Sequence, residues 1–194
     1  DVVRTRPENP RARYNLAVSL LRAGRWEDAI LEFREAVRLR PGPPQGPLAH
    51  VGWGVALLSQ GRLGEASEEF QEALAADPAC VQALVSRAYL RLESRDPAGA
   101  AADEEEALRV QPDFPEAMLI LALVRHAQGD RAEAVRLLER ALALHPAYAD
   151  AAKNLALLHL EAGEPARAVR VLEEALGSSS LDQPELRALL DRIR

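Results

Sequence analysis

Cysteine, lysine and methionine each occur once in this chain of 194 residues, as Cys80, Lys153 and Met118, and aromatic residues make up 4% of it. One cysteine excludes an intrachain disulfide and fits a reducing compartment without requiring one. Nor can it build a structural zinc site, and no pair among His50, His126, His145 and His159 has ligand spacing within a helix. Those histidines are therefore read as packing and wall residues. No apolar run approaches the roughly 20 residues that span a bilayer, so direct membrane insertion is not expected. No signal-peptide pattern is visible and the first residue is Asp1. Few aromatics leave little for base stacking, and a net charge of −6 opposes a phosphate backbone, so nucleic acid is not the expected partner. Arginine supplies nearly all the basic charge, which reads as the codon bias of a GC-rich, bacterial genome.

Catalytic patterns are missing as well. No glycine loop of the phosphate-cradling kind occurs, and Gly52-Trp53-Gly54 falls inside a helical pattern. Ser178-Ser179-Ser180 has no base nearby to activate it. Neither an enzyme nor a cofactor is expected.

What the chain does have is a period. Pro7, Pro41, Pro78, Pro112 and Pro146 recur at one constant interval, broken only by three extra positions between Pro41 and Pro78. Gly24, Gly61, Gly129 and Gly163 repeat in step with them. So do three columns of small residues: Ala17, Gly54, Ala88, Ala122, Ala156; Ala29, Ala66, Ala100, Ala134, Ala168; and Ala36, Ala73, Ala107, Ala141, Ala175. Phe33, Phe70, Leu138 and Leu172 form a column of large apolar residues. A fixed period within the range of roughly 20–50 residues marks an array of supersecondary units that bury their apolar faces only by stacking.

Within one unit, Met118, Leu121 and Ala122 recur at helical spacing, Gln128-Gly129-Asp130 breaks the run, and Ala134, Leu138, Ala141 and Leu142 resume it. The pattern predicts helix, tight turn, helix, with glycine at the first helix's end and proline after the second.

The fifth unit, YADAAKNLALLHLEAGEPARAVRVLEEAL, and the first, RARYNLAVSLLRAGRWEDAILEFREAVRLRP, resemble the tetratricopeptide repeat. The resemblance covers residues 10–180. It implies an all-α, right-handed solenoid of paired antiparallel helices whose first helices line a concave groove that takes a peptide or helix. The expected units are 10–43, 47–80, 81–114, 115–148 and 149–180. Residues 1–9 are expected to be the remnant of an upstream element, the chain being a fragment or processed form, and 181–194 a capping helix. That last helix has the apolar stripe Leu186, Leu189, Leu190, Ile193, and Asp182-Gln183-Pro184-Glu185 before it resembles a capping box.

Projected onto the family's groove, the lining is Tyr14, Asn15 and Val18 in the first unit and Val51, Val55 and Leu58 in the second. It continues with Val85, Tyr89 and Leu92, then Leu119, Leu123 and His126, then Lys153, Asn154 and Leu157. Some family members clamp a terminal carboxylate there with lysines and asparagines. Here the second and third units carry valine, glycine and serine instead, so a full clamp is absent, although Asn15 and Asn154 sit where relatives hold a ligand's backbone. The function implied is a protein-binding scaffold holding an apolar segment of a partner. The alternatives are a recruiting arm of a larger enzyme and a self-association module.

Three departures stand out. The proline-rich segment 41–47 makes its unit too long by three positions and is expected to form a stiff loop. Arg95 replaces the turn glycine of the third unit, and Glu104 its large apolar residue. Asp103, Glu105 and Glu106 read as a solvated face. Glu104 is expected to be buried between Arg91 and Arg125, with Arg87 nearby.

Overall fold

The computed structural model describes residues 9–39, 42, 45–179 and 182–194. Among them are eleven helices and no strand. In chain order they are α1 (Pro10–Arg22), α2 (Trp26–Arg38), α3 (Gln45–Ser59), α4 (Leu63–Ala76), α5 (Val81–Glu93) and α6 (Pro97–Val110). Then come α7 (Pro115–Ala127), α8 (Arg131–Leu144), α9 (Ala149–Glu161), α10 (Pro165–Ser178) and α11 (Pro184–Ile193). They form five helix-turn-helix pairs followed by one further helix, the α-solenoid unit plan. Pro7, Pro41 and Ser180, and residues 1–8 of the upstream remnant, lie outside the described residues.

The turns explain the glycine column. In the first pair, Gly24 N–H donates to Leu21 and Arg25 N–H reaches back to Leu20. This is the Schellman ending of a helix, which needs a left-handed residue. Gly24, Gly61, Gly129 and Gly163 take φ of 71, 73, 86 and 74°. Arg95 makes the same turn, with N–H bonds from Arg95 to Leu92 and from Asp96 to Arg91, at φ 60°. The missing glycine leaves the turn's form intact and puts a side chain where one is unfavourable.

The start signals are uneven. Asn9 caps α1 by accepting from Ala12 N–H at 3.2 Å, and Asp130 caps α8 by accepting from Glu133 N–H at 3.1 Å. The expected capping box of the last helix is absent: Gln183, the residue before α11, makes no side-chain cap bond. Asp182 pairs instead with Arg187, and Gln183 Nε2 donates to the Ala147 carbonyl at 3.0 Å. Proline in the first turn of α11 is as expected. Part of the expected stiff loop is also helix: α3 begins at Gln45, with Pro47 buried in its first turn.

The chain divides into two compact bodies, Asp1–Asp103 and Glu104–Arg194. In the first, Ala17, Ala29, Phe33, Ala36 and Ala49 form one core cluster and Ile30, Ala56, Leu57, Ala66 and Phe70 another. Trp53 packs against both. Alanine's small size brings paired helices close, while the Phe33 ring fills space between the first two pairs and the Phe70 ring packs within the second. The fit is tight at two glycines: a Cβ on Gly52 would lie 2.3 Å from the Phe33 ring, and one on Gly54 2.5 Å from the Phe70 ring. In the second body, Ala152, Ala156, Ala168, Leu172 and Ala175 are joined by Leu186 and Leu190 of α11, with Leu189 and Ile193 beside them. The stripe predicted for the last helix thus covers the end of α9 and α10.

Candidate functional site

The face in question belongs to the first helix of each pair, and the packing above decides how much of it stays open. Tyr14 and Val18 are half-buried against the Phe33 cluster, the tyrosine edge-on to that ring at 5.9 Å. Burial pushes the Tyr14 phenol above its usual range. Asn15 is exposed. Val51 is 8% exposed and Leu119 7%, so these two belong to the core. Val55, Leu58, Val85 and Leu92 are half-buried.

Tyr89, Leu123 and Leu157 are different. They share one repeat position, one turn along from the previous column, and are 46%, 36% and 40% exposed. Each is a large apolar side chain left in water by its own body.

The polar members of the face have partners within the chain. Lys153 Nζ lies 3.0 Å from Glu185 Oε2 and 3.8 Å from Asp150 Oδ1, and the Glu185 hydrogen bond raises its pKa. Asn154 Nδ2 donates to the Asp150 carbonyl at 2.8 Å, so its amide serves its own helix. His126 Nε2 lies 3.3 Å from Glu161.

The acidic run behaves otherwise than expected. Glu105 is exposed, but Asp103 is 4% exposed and Glu104 is fully buried. Glu104 thus follows its column, whereas Asp103 is drawn off the solvated face. Arg87 grips Asp103 with two hydrogen bonds of 2.9 and 2.6 Å, and Arg91 Nη1 adds a contact of 2.8 Å. Arg91 also donates to the Gly99 carbonyl at 2.8 Å. Arg125 is held by Glu105 and by Gln128.

Asp103 has counterparts missed in the sequence. Glu32 pairs with Arg13 at 2.7 Å and Glu69 with His50 at 2.8 Å. Glu32, Glu69 and Asp103 occupy one repeat column, which continues as Leu137 and Val171. The first three pairs thus join their helices through a half-buried acid–base contact, and the last two through apolar residues. These acids recur in step with the prolines, and that spacing was the signal that could have shown it.

Two models of the tetratricopeptide repeat match the sequence, one over residues 125–193 and one over 1–44, 51–113 and 86–134. The chain belongs to the tetratricopeptide-repeat family. No curated protein matches the sequence. Solved structures do match the fold. TTC0263, a thermophilic tetratricopeptide-repeat protein of Thermus thermophilus, is 23% identical, with 95% of this chain and 98% of that one covered at a TM-score of 0.78. PilF of Pseudomonas aeruginosa is 21% identical, covering 97% and 90%, at 0.78. Yeast Tom70 is 15% identical, covering 98% of this chain and 41% of its own, at 0.80. At these identities the likeness concerns the fold. Tetratricopeptide-repeat proteins are in general scaffolds for protein–protein interaction and in general not enzymes.

Proposed function

We propose that this tetratricopeptide-repeat chain captures an apolar segment of a partner protein, helical or extended, on the open face of its first helices. One observation carries the proposal: Tyr89, Leu123 and Leu157 recur at one repeat position and are 46%, 36% and 40% exposed, whereas Val51 and Leu119 of the preceding column are buried. A packed array has no internal use for large apolar side chains in water, and such surfaces mark interaction sites. Within the first body, Val55, Leu58, Val85 and Leu92 add half-buried apolar surface on the same helix as Tyr89 or on the first helix before it. Lys153 and Asn154 are occupied within the chain, so recognition rests on apolar contact and not on carboxylate clamping.

The test is a variant carrying Tyr89→Ala and Leu123→Asp. Both side chains are exposed, so helicity by circular dichroism should hold. Truncation of central interface residues costs about 1–2 kcal/mol each, so capture should weaken by roughly ten-fold or more. Recovery of the same partners at the same yield from a cell extract overturns the proposal. Sedimentation of the purified chain separates out self-association: a mass that grows with concentration and reverts in the double variant assigns the face to a second copy.

A further inference from the structure

A cavity of about 690 Å³ opens on the other side of the helix pairs, between α8 and α10. Its size is that of a ligand pocket and not of a packing defect. Leu155 and His159 of α9 form its floor, and Leu142, Val171 and Ala175 line its walls. His159 is buried and pinned, with Nδ1 at 2.8 Å from Glu164 Oε2. Glu139, Arg170 and Glu174 also line the cavity. Arg167 is tied to Glu164, whereas no partner among the described residues holds the charged groups of Arg170, Glu139 or Glu174.

The array contains its own key to this space. Leu16, Trp53, Arg87, Leu121 and Leu155 share one repeat position. In the second pair that position is Trp53, which packs against two clusters that include residues of α2 and α4. Its ring face receives the Arg34 guanidinium at 5.7 Å. In the fifth pair the same position, between α8 and α10, is Leu155. There a branched alkyl group stands in place of the indole and lines the cavity. The flanking charges are exchanged too. Glu139 of α8 stands at the repeat position of Arg34, and Arg170 of α10 at that of Glu68.

We infer that this cavity is a second binding site, which takes a tryptophan side chain of a partner protein. The indole enters where Trp53 sits in the second pair, over Leu155 and between Leu142 and Val171. Arg170 lies over its face as Arg34 does over Trp53, a cation–π contact. The indole N–H is donated to the carboxylate of Glu139 or Glu174, which have no other use for their charge within the described residues. The site lies within the C-terminal body and is distinct from the apolar face of the first helices.

N-acetyl-L-tryptophanamide is the probe, titrated into the whole chain while methyl NMR signals are followed. Saturable shifts are expected at Leu142, Leu155 and Val171, with a dissociation constant on the order of 1 mM. Leu155→Trp, which fills the space from inside, should abolish the shifts and raise the melting temperature. Arg170→Ala, at the exposed rim, should weaken binding about two- to five-fold. N-acetyl-L-phenylalaninamide, without the N–H, should bind more weakly. Absence of saturable shifts in the natural chain overturns the inference, as does their persistence in folded Leu155→Trp. If Leu155→Trp fails to fold, unchanged affinity in Arg170→Ala overturns it instead. Equal affinity for the phenylalanine probe overturns the assignment to tryptophan.

Discussion

Replacing Arg95 by glycine should stabilise the protein, although it removes a charged side chain and adds nothing. Arg95 holds φ at 60° in a turn that four glycines make at 71 to 86° elsewhere. The hydrogen bonds of that turn are backbone bonds, Arg95 N–H to Leu92 at 3.0 Å and Asp96 N–H to Arg91 at 2.7 Å, and survive the change. The side chain is exposed and forms no hydrogen bond or ion pair among the described residues, so nothing is lost with it. A left-handed residue bearing a Cβ costs about 1–2 kcal/mol. Glycine's greater freedom in the unfolded chain takes back about 0.5–1 kcal/mol. The net gain is roughly 0.5–1 kcal/mol, which at this chain length raises the midpoint by about 1–4 °C. Thermal melts followed by circular dichroism read it. Arg95→Ala keeps the Cβ and should be close to neutral, which separates backbone strain from side-chain loss. Gly129→Arg, at φ 86° with open space around it, should cost about as much as Arg95→Gly gains. An unchanged or lowered midpoint for Arg95→Gly, together with a neutral Gly129→Arg, would refute the strain.

Asp103→Ala should cost about 2–3 kcal/mol in urea unfolding, because it leaves Arg87 and Arg91 without their shared, buried carboxylate while both keep some access to water. Glu105→Ala, which breaks an exposed pair, should stay within about 0.5 kcal/mol of the natural chain. Gly52→Ala should destabilise by about 1–3 kcal/mol, since Phe33 is fully buried and cannot retreat from the new Cβ, and Phe33→Leu in the same chain should recover part of that loss. The His159 hydrogen bond holds the Glu164 carboxyl below its ordinary value of 4.5. Its contribution is therefore present above that value and lost as pH falls through the lowered one. The stability gap between the natural chain and Glu164→Gln should close over that acid range in melts recorded against pH.

The period carried most of the fold. Pro78, Pro112 and Pro146 follow the second helices of their units and Gly24, Gly61, Gly129 and Gly163 end first helices, as the backbone limits of proline and glycine require. The apolar columns were as legible: Phe33, Phe70, Leu138 and Leu172 are buried where the column put them, and Glu104 follows them inward. Asp103 was not legible from its own run of acids. What buries it is Arg87 and Arg91 on the preceding helix, whose charge outweighs the solvation of a surface carboxylate. Along the first helices, one-dimensional projection treated every expected lining residue alike. Packing then separated Val51 and Leu119, enclosed by their neighbours, from Tyr89, Leu123 and Leu157, which are not. The capping box failed because Asp182 found Arg187 before it found the helix N-terminus.

The seat of Phe33 on Gly52 bears on how such a chain can change length in evolution. The residues at Gly52's repeat position in the other units are Asn15, Ser86, Ile120 and Asn154, each with a Cβ. A duplication or deletion that set any of those units directly after the first would drive that Cβ into the phenyl ring. The first two units are thus matched to each other through one ring and one missing side chain, and setting another unit in the second place would require the Phe33 ring to repack.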